Sequence, residues 1–217
     1  MSSLPPTVAG PATVVLLHSP LGSTTAWEDV AQRLRSADAG AHVVVVSVQA
    51  PDLEPPGHRY IARTALDIAA AEAGRSVLLV AAGAAGPLLP RLGAAQRSAH
   101  RHVSGYVLLD ALLPQPGITS WTQLAREQVE ADLDTLPDST EGEERARQWG
   151  ETTVPTLVDW PDAPCTYLTS DARFARCRRL AELRGWQVHD VRTDTEHTRI
   201  GADSEALAVA VRRLSHI

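Results

Sequence analysis

Ser76-Val77-Leu78-Leu79-Val80-Ala81-Ala82-Gly83-Ala84-Ala85-Gly86-Pro87 joins an apolar run of strand length to a turn built only of Gly and Ala. A helix-like segment follows. Within the run the residues are Val/Leu-rich without polar alternation, as in a strand buried on both faces. Pro87 fits a first helical turn, whereas Pro90 predicts a distorted helix or a delayed start. Upstream, Thr13–His18 and His42–Val48 read as two further buried strands. Between them a helix begins near Thr25, where Thr25 and Glu28 form a capping box and Trp27, Val30, Ala31 and Leu34 share one apolar face. The Pro-rich loop Gln49–Arg59 leads to a helix over Tyr60–Ala73.

Downstream, Val103–Asp110 is a fourth strand, and Cys165–Thr169 and Trp186–Arg192 are two more. Helical patterns cover Ala172–Leu183 and Asp203–Leu214. Alternating strands and helices predict an α/β fold, a mostly parallel sheet with helices on both faces. Residues 113–162 differ in texture: they are more polar, carry Trp121, Trp149 and Trp160, and hold the acidic patch Asp138–Glu144. This predicts a small helical cap inserted into a core made of residues 1–112 and 163–217.

Composition narrows the function classes. A 217-residue chain with 44% hydrophobic and 21% charged residues suits one soluble globular domain. A net charge of −6 argues against nucleic acid or an anionic membrane as partner. There is no lysine, so an arginine excess reflects overall composition and not a binding surface. No apolar run reaches the roughly 18 residues of a membrane span, and the first twelve residues lack a signal-peptide pattern. Cys165 and Cys177 form no cysteine framework, consistent with reduced thiols and a cytoplasmic location.

A strand, a small-residue turn and a helix near the chain middle are the setting of a nucleophile elbow, G-x-S-x-G. Further motifs occur in a consistent order. Val14-Val15-Leu16-Leu17-His18-Ser19-Pro20-Leu21-Gly22-Ser23, followed by Trp27, resembles a strand and HG-loop bearing one oxyanion donor. Ala50-Pro51-Asp52-Leu53 with Gly57-His58 resembles a PDL-x-GHG loop. Tyr106–Pro114 with Gly117 is similar to an LVYLDA-x-x-P-x-x-G segment. Tyr167-Leu168-Thr169-Ser170-Asp171 resembles an acid-bearing strand end, and Thr195-Glu196-His197 the loop of a catalytic histidine. On these motifs the chain resembles the α/β-hydrolase superfamily over nearly its whole length, most of all its small esterase and hydroxynitrile-lyase-like branch.

That resemblance implies His197 as the base and Asp171 as the acid that orients it, with Asp110 the alternative. Either carboxylate could instead cap a helix. It also implies oxyanion donors at Ala84 and Pro20, and a pocket bordered by Ser19, Leu21 and Trp121. Two departures change the chemistry. Gly83 stands at the serine position with Ala82 and Ala84 beside it, so the slot has no heteroatom. Pro20 occupies the usual donor position without an N–H, unless Leu21 donates in its place. Losing one such donor costs on the order of 10²–10³ in kcat, and the serine far more. Ordinary serine-dependent ester hydrolysis is therefore not expected.

Three functions follow. The first is non-covalent acid/base work by His197 and its carboxylate on a small apolar molecule, as lyase, isomerase or cyclase. The second is an inactive relative that binds a small molecule or a partner protein. The third is weak hydrolysis through Ser19 or an activated water. Ala81-x-Gly83-x-x-Gly86 lacks the first glycine of a dinucleotide fingerprint, so no cofactor is expected. His100-Arg101-His102 has the wrong spacing for a metal site.

Overall fold

All the described strands run parallel in one sheet. The computed structural model describes residues 12–20, 22–48, 56–71, 73–74, 76–117, 120–129, 147–155, 159–191 and 204–215. The strands are β1 (Thr13–Leu17), β2 (Val43–Val46), β3 (Ser76–Gly83), β4 (His102–Ala111), β5 (Cys165–Thr169) and β6 (Gln187–Asp190), in the order β2-β1-β3-β4-β5-β6. β1 lies between β2 and β3, with Leu17 beside Val46 on one side and Ala81 on the other. The chain thus winds outward from β1 to β2 and then returns to build the other half of the sheet. Such a reversal leaves a crevice beyond the C-terminal ends of its two strands, here β1 and β3.

Strand side chains alternate between two helical layers. Val14, Leu16, Leu78, Val80 and Leu109 pack with α1 (Thr25–Ala37) and α6 (Ser204–Ser215), through Trp27, Val30, Leu34, Leu207 and Val211. Val15, Leu17, Leu79, Leu108 and Tyr167 pack with α2 (Pro56–Ala70), α3 (Leu89–Ser98) and α5 (Ala175–Leu183), through Tyr60, Ile68, Leu89, Leu92 and Cys177. Both faces of the sheet are covered, which is why its strands read as unbroken apolar runs. No helix among the described residues is long and apolar enough to cross a membrane.

Local details depart from the sequence reading at helix starts. The capping box expected at Thr25 does not form: Thr24 is the cap residue, in helical geometry and without a side-chain bond. Ser23 Oγ takes the Thr25 N–H at 3.1 Å in its place. Helix α2 starts at Pro56, not Tyr60, as a proline fits a first turn whose N–H groups have no partner within the helix. After β3 the chain makes a 3-10 turn (Gly86–Leu88), and α3 begins at Leu89 with Pro90 in its first turn. The proline delays the helix without breaking it.

Between β4 and β5, α4 (Trp121–Gln128) is capped by Ser120 Oγ, which accepts from Gln123 N. Trp121 and Trp149 pack with ring centroids 5.7 Å apart, and Ser120 bridges to Thr153. Buried Gln128 fixes the segment leaving β4: its Oε1 accepts from Leu113 N at 2.7 Å and its Nε2 donates to Leu113 O at 3.0 Å.

Candidate active site

Gly83 ends β3 with φ +55°, a left-handed conformation that glycine adopts without a Cβ penalty. It is followed by the tight turn Ala84-Ala85, in which Ala85 N–H reaches Ala82 O. Gly86 is small for a different reason: a Cβ there would run into the Leu112 carbonyl. Leu112 N in turn donates to Gly83 O at 3.0 Å. The elbow is therefore built on backbone contacts, and they hold it against β4.

Ser19, two residues beyond the end of the neighbouring strand, projects over this turn. A Cβ built on Gly83 would lie 3.3 Å from Ser19 Cβ and 3.5 Å from Ser19 Oγ. The Ser19 carbonyl fixes that orientation by accepting two hydrogen bonds, from His18 Nδ1 at 2.6 Å and from Gly22 N at 2.7 Å. The second closes a turn with Pro20 at its second position, where proline's fixed φ suits the geometry. Pro20 is buried; Leu21 lies outside the described residues. Ser19, Gly83 and Ala84 are all partly exposed amid buried neighbours.

His18 serves as a pin. Tyr60 Oη donates to its carbonyl at 3.0 Å, and its buried Nε2 has no hydrogen-bond partner among the described residues. Burial lowers its pKa, outweighing the bond to Ser19, so the ring is neutral with its proton on Nδ1.

The two carboxylates sit in contrasting surroundings. In the β3–β4 ladder Ala82 faces Leu109 and Gly83 faces Ala111, so Asp110 is the extra residue of a bulge. Its φ of +40° is rare for a side-chain-bearing residue. The bulge aims the carboxylate at the end of β5, where Ser170 Oγ, Ser170 N (2.9 Å) and Asp171 N (3.2 Å) all donate to it. Asp110 is only 2% exposed. Burial raises its pKa against the opposing pull of those bonds.

Asp171 instead caps the 3-10 turn Ala172–Phe174, accepting Arg173 N at 2.9 Å and Arg173 Nε at 2.8 Å. Burial pushes Asp171 upward, but the bonds and charge of Arg173 outweigh it and hold the carboxyl below its ordinary value. Both chain cysteines are buried and unpaired, and burial pushes each thiol up to about 12, so neither supplies a thiolate. His197 lies outside the described residues. Trp121 is buried against Trp149. Ser170 and Arg173, which decide what each carboxylate does, were missed in the sequence. Ser170 adjoins the quoted strand end, but its bond to Asp110 crosses sixty residues.

No protein-family model and no curated protein matches the chain. Among solved structures it is similar to a pyrethroid hydrolase from Sphingobium faniae JZ-2, at 18% identity over 94% of this chain and 97% of that one, TM-score 0.65. It is also similar to polyneuridine aldehyde esterase, at 15% identity over 94% and 98%, TM-score 0.61. A third is the type II thioesterase BorB from the borrelidin biosynthetic cluster, at 16% identity over 97% and 94%, TM-score 0.60. At these identities the likeness establishes the fold: this chain has the α/β-hydrolase fold.

Proposed function

We propose that this chain is an enzyme that moves a proton on a small, largely apolar carbonyl compound without forming a covalent intermediate, in a lyase, isomerase or cyclase step. The observation that carries this reading is Gly83. The turn keeps its left-handed backbone while the residue there has no attacking atom. His197 acts as the acid/base. Of the two carboxylates, Asp110 suits an orienting acid better, because it adjoins Ala111, the residue paired with Gly83 in the sheet. The names of the similar structures, an esterase and a thioesterase among them, support a carbonyl group in the substrate. Proton transfer of this kind is worth about 10²–10⁴ in rate, so the substrate must carry an acidified C–H or a good leaving group.

The test follows exchange of α-hydrogens for deuterium by NMR across a panel of small ketones, aldehydes and esters in D₂O. We expect exchange that His197→Ala reduces about 10²–10⁴-fold, with Asp110→Ala costing more than Asp171→Ala. Exchange unchanged by His197→Ala overturns the reading.

The Ser19 side chain, by partly filling the space over Gly83, favours a second reading. In it the chain is catalytically silent and binds a small molecule or a partner protein. Absence of exchange across the panel, together with saturable ligand binding, selects that alternative.

A further inference from the structure

We infer that the Ser19 hydroxyl supplies the donor that Pro20 cannot, and that with the Ala84 N–H it holds the oxygen of a carbonyl substrate. This rests on the acid/base reading above and names the group that would carry the developing charge. Pro20 has no N–H, and its place in the Ser19–Gly22 turn explains why a proline is tolerated there. That same turn, with the bond from His18 Nδ1, fixes the Ser19 carbonyl and leaves the side chain facing Gly83.

The Ser19 hydroxyl makes no hydrogen bond to any described residue, so its proton is available. The Ala84 N–H likewise donates to no backbone group among the described residues. Gly83 places no side chain in the space beside the Ser19 hydroxyl, and the Ala84 N–H belongs to the next peptide unit. The side chain absent at position 83 and the one present at position 19 are therefore reciprocal features of one site.

The chemistry balances without a bond to protein. A base removes the α-proton, the C–H electron pair becomes the new C=C bond, and the carbonyl π pair moves onto oxygen. The oxygen gains negative charge, which the O–H and N–H donors stabilise. The pair returns when carbon is reprotonated elsewhere or a β-substituent leaves. Preorganised donors of this kind commonly contribute about 10²–10³ in rate each. A nucleophilic Ser19 would instead need a base within hydrogen-bond reach of its hydroxyl, and His18 Nδ1 is committed to the Ser19 carbonyl.

Substituted phenolates serve as the probe, because they present an enolate-like oxygen and need no proton transfer. We expect calorimetry to show wild-type protein binding them more tightly as the phenol pKa rises. Ser19→Ala should weaken binding at least tenfold, Ser19→Thr should keep it, and Ser19→Ala/Pro20→Gly should recover part of it by returning an N–H. Unchanged melting temperatures would assign the losses to the donor and not to folding. Absence of phenolate binding by the wild type, or equal affinity in Ser19→Ala, overturns the inference. A covalent fluorophosphonate adduct on Ser19 also overturns it, in favour of a nucleophile. Ser19-dependent phenolate binding without any α-hydrogen exchange would sink the acid/base reading alone, and exchange without Ser19-dependent phenolate binding would sink the donor assignment alone.

Discussion

Ser170 grips both oxygens of the Asp110 carboxylate, its N–H on Oδ1 and its hydroxyl on Oδ2. These bonds tie the bulge in β4 to the end of β5 and help offset the rare backbone conformation at Asp110.

The same site gives a pH prediction. Burial raises the Asp110 pKa, so between its unfolded value, about 4, and its higher folded value the native state keeps a proton that the unfolded chain releases. Stability from this group is full below that window, declines as pH rises through it, and is flat above it. Urea unfolding of Asp110→Asn should lack that decline. Parallel pH profiles for the two proteins would mean that Asp110 ionises as readily folded as unfolded.

Restoring a serine at position 83 should fail on its own. The left-handed backbone and the 3.3 Å approach to Ser19 Cβ both oppose a side chain. Gly83→Ser should lose about 1–3 kcal/mol from crowding and show no hydrolysis of p-nitrophenyl acetate. Gly83→Ser/Ser19→Gly should regain part of that stability, because the obstructing side chain is gone. A single variant as stable as wild type would show that the loop yields freely.

Gln128 should be costly to lose, since it holds Leu113 beside the residue that bonds to Gly83. Gln128→Leu keeps the volume but strands the buried N–H and carbonyl of Leu113, at about 1–3 kcal/mol each. Denaturant melts should show the loss; a near-neutral result would mean that water replaces the amide.

Trp121 makes a contrasting pair of variants. Its indole N–H is buried without a partner among the described residues. Trp121→Phe should therefore cost well under the 3–5 kcal/mol expected, to order of magnitude, of Trp121→Ala, since it removes an unsatisfied donor along with the lost area. Equal losses for the two would point to a hidden acceptor for the indole.

The sheet and its helices were legible because burial on both faces writes itself into unbroken runs such as Val77–Ala82. The turn at Gly83 was legible because only Gly and Ala occur in it. Helix starts were less so: Ser23 displaced the expected cap at Thr25, a choice between neighbouring hydroxyls that spacing does not decide. The capping role of Asp171 was among those its position allowed, but its bond to the Arg173 side chain and the surroundings of Asp110 were not legible. A single extra residue in β4 re-aims Asp110, and a side chain two positions along engages Asp171. Both depend on register and rotamer, which residue types alone do not encode. Ser19 could be placed near the elbow from the loop pattern, but its direction came from two hydrogen bonds to its own carbonyl.

The position of β1 bears on how the chain is made. Its Val14–Leu17 ribbon is interior to the sheet, yet its partner on one side, Ser76–Gly83, is translated some sixty residues later. At roughly 5–20 residues per second, a ribosome leaves that flank uncovered for several seconds. During synthesis, then, the greasy ribbon that later supports Ser19 is a natural target for a chaperone.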